Sequence, residues 1–189
     1  MTSNYKQLKD EANMLFKSND LDNALDLYKK SLQHLDCCPQ EPSDDSNFPT
    51  YIPEHAPLAA IVHNNMSLCY LKQNQYNEAL KHSSVAIRDD AAKPKALYRQ
   101  GMALAGLERY REAVTSLTEH KSLMAESNVD SLISRFETLA QEQEERQKKE
   151  AIDKLKDLGS SILGKFGLSL DNFKLQQDSQ GGYSVQFQK

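Results

Sequence analysis

No run of about eighteen apolar residues occurs anywhere in the chain, so nothing in it reads as a transmembrane helix. Met1 to Asp10 carry no apolar run either, and no signal peptide is expected. Cysteine is sparse: Cys37, Cys38 and Cys69 are odd in number and form no disulfide framework, which points to thiols in a reducing cytoplasm. The chain also lacks excess positive charge. A formal net charge of −4 argues against a nucleic-acid binder, which would need a basic surface to meet phosphates. Gly164-Lys165 has no glycine-rich loop before it, so there is no phosphate cradle. The five histidines, His34, His55, His63, His82 and His120, show neither a His-Glu-x-x-His nor a Cys-x-x-Cys spacing, and no metal site is expected. No nucleophile motif is present. These absences together leave no catalytic residue and no cofactor to propose, and an enzyme is not expected.

What is present is a repeat. Shifting the sequence by 34 residues lays Ser67 on Gly101, Tyr70 on Leu104, Tyr76 on Tyr110 and Ala79 on Ala113. Small residues, an aromatic and an alanine recurring at that period form the pattern of a tetratricopeptide (TPR) helix–turn–helix. The alanines fall where two helices of one repeat cross closely, and Ser67 and Gly101 leave room for a neighbouring helix. A third copy lies at the start, with Ala12 at the small-residue place and Ala24 at the crossing. Ala24 and Ala79 stand 55 residues apart, 21 more than one period. Pro39 to Ala59 supplies the excess and holds five of the six prolines, which rules out one continuous helix there.

The expected fold is therefore all-α: a three-repeat TPR solenoid with a long C-terminal capping helix and a small C-terminal β-hairpin. Its parts are repeat one at 1–38, a Pro-rich insert loop at 39–59, repeat two at 60–93 and repeat three at 94–127. A capping and solvated extension helix follows at 128–164, then a hairpin tail at 165–189. Pro94 suits a first helical position, and Ser127 with Asp130 reads as a capping box. Leu132, Ile133, Phe136, Leu139 and Ala140 lie at helical spacing and can close the open end of the array. Residues 141–150 contain no apolar side chain. Ile152, Leu155, Leu158, Ile162 and Leu163 then resume an amphipathic stripe, and Gly159, Gly164 and Gly167 are expected to loosen the helix. Alternation from Phe173 to Gln177 and from Tyr183 to Phe187, around Asp178 to Gly182, predicts the hairpin. A lone hairpin is marginal in water. Its apolar face is expected to pack on the Ile152–Leu163 stripe as a local mini-core, or else on another protein.

In a TPR stack the first helix of each repeat lines a concave groove. Lys9 and Asn13, four apart, share one face of the first such helix, Asn65 lies on the second, and Lys95 and Arg99 share a face of the third. Cations and amides converging on one trough suit a ligand with two carboxylates close together. Lys9-x-x-x-Asn13, Asn65 and Lys95-x-x-x-Arg99 resemble the dicarboxylate clamp of TPR co-chaperones, residue for residue. The resemblance implies binding of the Glu-Glu-Val-Asp C-termini of heat-shock protein 90 and heat-shock protein 70. Phe16 and Met102 are candidates for contacting apolar side chains upstream in such a peptide, although ordinary inter-helix packing also accounts for both.

The tail narrows the resemblance. Leu155-Lys156-Asp157-Leu158-Gly159, Phe166-Gly167-Leu168-Ser169-x-x-Asn172-Phe173, Gln177-Asp178-Ser179 and Tyr183-Ser184 are similar to the C-terminus of the tetratricopeptide repeat domain protein 1 family. That likeness extends over essentially the whole chain. A long acidic region precedes the repeats in the family and has no counterpart in these 189 residues. The expectation is a cytoplasmic co-chaperone adaptor. The alternative is a scaffold that holds a G-protein or other client through residues 152–189, independently of chaperones. A structural oligomer joined through the tail stripe is a further rival.

Overall fold

The computed structural model describes residues 2–35, 51–124, 128–169, 173–177 and 183–187. Seven helices account for most of them: α1 (Thr2–Lys17), α2 (Leu21–Leu32), α3 (Ala56–Lys72), α4 (Tyr76–Ala86), α5 (Lys93–Gly106), α6 (Tyr110–Leu123) and α7 (Asp130–Gly164). The chain divides into two compact units, residues 1–140 and 141–189.

In the first unit the helices pack as three hairpins, α1 with α2, α3 with α4 and α5 with α6, and α4 also packs on α5. Each hairpin turns in the same way. Asn19, Asn74 and Glu108 take left-handed backbone angles, with φ of 63°, 57° and 58°. At each turn the next amide reaches back to close the helix: Asp20 N to Leu15 O, Gln75 N to Tyr70 O and Arg109 N to Leu104 O, all 2.9 Å. These are Schellman closures, which give the last carbonyls of each first helix a donor. Ala24, Ala79 and Ala113 are fully buried at the hairpin crossings. A Cβ built on Gly101 would lie 2.8 Å from Leu117 Cγ, so the α5–α6 crossing admits no side chain at that position.

Two cores hold the stack together. Tyr28, Leu25, Val62, Met66 and Cys69 anchor the one shared by the first two hairpins. Tyr5 strengthens it by donating to Leu58 O at 2.9 Å, a bond from α1 to α3. The second core gathers Leu104, Ala113 and Leu117 with Phe136 of α7, and Leu132, Ile133 and Leu139 pack around it. The Tyr110 and Phe136 rings stack at 6.1 Å. The first turns of α7 thus cover the apolar end of the third hairpin, as an open array requires.

Several local expectations need correction. Pro94 is the second residue of α5, after Lys93. Its missing N–H is still harmless, because amides throughout the first turn lack helical partners. The Pro-rich insert ends sooner than the repeat arithmetic places it, because α3 starts at Ala56 with Pro57 in its first turn. Ser127 of the expected capping box lies outside the described residues, as do residues 36–50 of the insert and the hairpin turn at 178–182. Gly159 does not loosen α7, which runs through it to Gly164 and closes at Gly167, φ 71°. Helix-favouring neighbours outweigh a single glycine costing about 1 kcal/mol.

In the second unit β1 (Phe173–Gln177) pairs antiparallel with β2 (Tyr183–Phe187), Leu175 opposite Val185. Among the described residues most of the Ile152–Leu163 stripe is uncovered: Ile152, Leu155, Leu158 and Ile162 are exposed and Leu163 is half-buried, while the hairpin side chains expected to pack on it, apart from Phe173, lie outside those described. Period-3.6 patterning identifies an apolar face but carries no information on what covers it. No helix among the described residues is long and apolar enough to cross a membrane.

Candidate peptide-binding groove

Three of the five polar residues read from the repeat phase meet in space. Asn13 of α1 accepts through Oδ1 from the Tyr28 hydroxyl at 2.6 Å and from Asn65 Nδ2 of α3 at 3.2 Å. Arg99 of α5 donates through Nη1 to the backbone oxygen of Asn64, the neighbour of Asn65. Its guanidinium is close enough to Tyr28 and Cys69 for each to register electrostatically in the other's titration. One connected set therefore spans the first helices of all three hairpins.

The electrostatics of that set are lopsided. Burial lowers the Arg99 pKa, with Cys69 and Tyr28 acting the other way, yet a guanidinium stays charged at neutral pH. Burial likewise raises the Cys69 thiol to about 11 and the Tyr28 phenol to about 12, so both are neutral and neither compensates Arg99. Among the described residues no carboxylate pairs with Arg99 or with Lys95.

Lys95 stands one turn before Arg99, exposed, and the two line a cavity of about 340 Å³ with Leu68, Leu71, Tyr98, His120 and Met124. His120 is fixed there by its Nδ1, 2.7 Å from Pro94 O. Lys9 sits one turn before Asn13 on α1, and its ammonium lies 3.4 Å from Asp10 Oδ1. Phe16 packs against the first core while Lys72 Nζ sits 4.6 Å from its ring centre. Met102 packs against the second core. Both are half-buried, so packing takes part of each side chain and leaves part accessible.

Tyr28, Tyr98 and Leu68 were not singled out from the sequence. Tyr28 follows Ala24 by one helical turn, and that spacing was the available signal. Its hydroxyl fixes which face Asn13 presents, a relation between helices that repeat phase does not encode.

The chain matches no protein-family model. Among curated proteins it is 36% identical over 107 residues to protein unc-45 homolog B of Xenopus laevis, which covers 57% of this chain and 10% of that protein. The chain thus spans about a tenth of the length of this relative and of its Xenopus tropicalis and Danio rerio counterparts. Among solved structures it resembles the C. elegans myosin chaperone UNC-45 in complex with a Hsp90 peptide, with a TM-score of 0.62 at 20% identity, over 87% of this chain and 16% of that one. It also resembles the second TPR domain of human RPAP3 in complex with the HSP70 peptide SGPTIEEVD, with a TM-score of 0.55 at 23% identity, over 72% of this chain and 97% of that domain. The fold is that of a tetratricopeptide-repeat domain.

Proposed function

We propose that this chain is a cytoplasmic co-chaperone adaptor, not an enzyme, whose groove captures the C-terminal carboxylates of heat-shock protein 90, heat-shock protein 70 or both. One observation carries the reading: Arg99 is a half-buried cation that meets no carboxylate among the described residues, beside an exposed Lys95 and the Asn13–Asn65 pair. A desolvated charge is costly until an opposite charge meets it. The carboxylates of a terminal aspartate offer the complement, one to the Lys95 and Arg99 side, the other to Asn13, Asn65 and Lys9. Peptide-bound neighbours of the same fold lend support, since those proteins were solved with HSP70 and Hsp90 peptides. The finer assignment to the tetratricopeptide repeat domain protein 1 family rests on the tail words between Leu155 and Ser184.

A charge-assisted hydrogen bond contributes about 1.5–3 kcal/mol. Lys95→Ala should therefore weaken binding of a Met-Glu-Glu-Val-Asp peptide roughly ten- to hundred-fold. Lys95 is exposed, so the variant should melt like the parent. Unchanged affinity in a correctly folded Lys95→Ala, Arg99→Ala double variant would remove the clamp.

A further inference from the structure

The second unit carries a helix face whose apolar side chains are exposed among the described residues. Ile152, Leu155, Leu158, Ile162 and Phe166 are 44, 67, 59, 51 and 76% exposed. At about 100° per residue, Leu155 and Ile162 lie at the centre of this face, Leu158 on one shoulder, Ile152 and Leu163 on the other. Helical geometry persists to Phe166, because Leu168 N bonds Leu163 O at 3.0 Å and Gly167 N bonds Gly164 O at 3.1 Å.

The charges around the face are sorted. Lys149 and Lys156 border the shoulder formed by Ile152 and Leu163. Lys154 and Lys165 border the Leu158 shoulder, and Lys148 stands at the N-terminal end. The acids of the same stretch, Glu150, Asp153 and Asp157, all project from the opposite side. Lys156 lies 3.8 Å from Asp153 with both side chains more than half exposed, a surface pair too weak to hold the lysine away from the rim.

We propose that the 148–166 segment is an interfacial anchor that lays this face into an anionic lipid surface. Apolar side chains enter the acyl boundary while the flanking lysines extend to the headgroups, as amphipathic helices do at membranes. The sorting of charge selects among occupants. A second copy, parallel or antiparallel, would set lysines against lysines along both flanks. A protein groove deep enough to enclose the helix would have to accept the acidic side as well. A flat anionic surface meets the apolar face and both lysine rows at once and leaves the three acids in water.

The test is co-sedimentation of the full chain with vesicles of phosphatidylcholine alone and with about one third phosphatidylserine. Expected is binding at least roughly ten-fold stronger to the anionic vesicles, falling with added salt. Each of Lys154→Gln and Lys165→Gln should lower the partition coefficient roughly five-fold. Leu155→Glu with Leu158→Glu should abolish binding while circular dichroism shows the helix content unchanged. Equal binding to the two vesicle types, binding to neither, or insensitivity to the Leu155→Glu pair would overturn the anchor. So would self-association in sedimentation velocity that Leu155→Glu abolishes, which would assign the face to a second copy.

Discussion

Glu108 occupies a backbone conformation that suits it poorly. Equivalent turns carry Asn19 and Asn74, and asparagine tolerates left-handed angles that most residues with a Cβ resist. Glu108→Asn should therefore stabilise the fold by about 0.5–1 kcal/mol, read as a higher urea midpoint at unchanged slope. A second residue-scale prediction comes from α3 and α4. His63 Nδ1 and His82 Nδ1 lie 2.8 Å apart, one ring donating to the other, and Tyr70 stacks on His82 at 5.2 Å. Burial, with His82 and Arg88 adding to it, pushes His63 down to about 3. Burial also pushes His82 down to about 4, against Glu78 and helped by Lys29 and Lys81. Both rings are neutral when folded and take up protons more readily when unfolded, at the ordinary value of 6.5. Their contribution is whole above pH 6.5 and declines as the pH falls from there towards 4. The slope approaches about 1.4 kcal/mol per pH unit for each histidine. A His82→Gln variant should flatten the dependence of the urea midpoint on pH across that window.

At the scale of elements, repeat phase made the three hairpins legible because close crossings demand small residues at fixed offsets. The burial of Ala24, Ala79 and Ala113 and the tight contact of Gly101 with Leu117 are the physical content of that phase. The same phase put Asn13, Asn65 and Arg99 on first helices, from which the structure brings them together. It could not reveal Tyr28 as the partner that orients Asn13, nor the histidine pair, since both join different helices through side chains alone. Nor did spacing reveal that Ile152, Leu155, Leu158 and Ile162 are exposed among the described residues, because an amphipathic pattern is the same whether or not a partner covers it. The capping part of α7 carries its own prediction. Phe136 fills the end of the second core against Leu104, Ala113 and Leu117. Phe136→Ala should cost about 3–5 kcal/mol, seen as a lower unfolding midpoint. Leu155→Ala, at an exposed site on the same helix, should change stability by less than about 0.5 kcal/mol.

At the scale of the whole molecule, the chain carries a TPR domain whose groove is proposed to receive carboxylates, and a tail helix with an apolar face rimmed by lysine. Because Lys95 and Arg99 meet no carboxylate among the described residues, a short acidic ligand held there mainly by charge should bind with about micromolar affinity that weakens with salt. The most direct measurement is titration calorimetry of the full chain with Met-Glu-Glu-Val-Asp as the free acid and as its C-terminal amide. Binding of the acid is expected, with at least about a ten-fold loss for the amide, which lacks one of the two carboxylates that Lys95, Arg99 and the asparagines would share. Equal affinity for the two forms, or no binding of either, would contradict it.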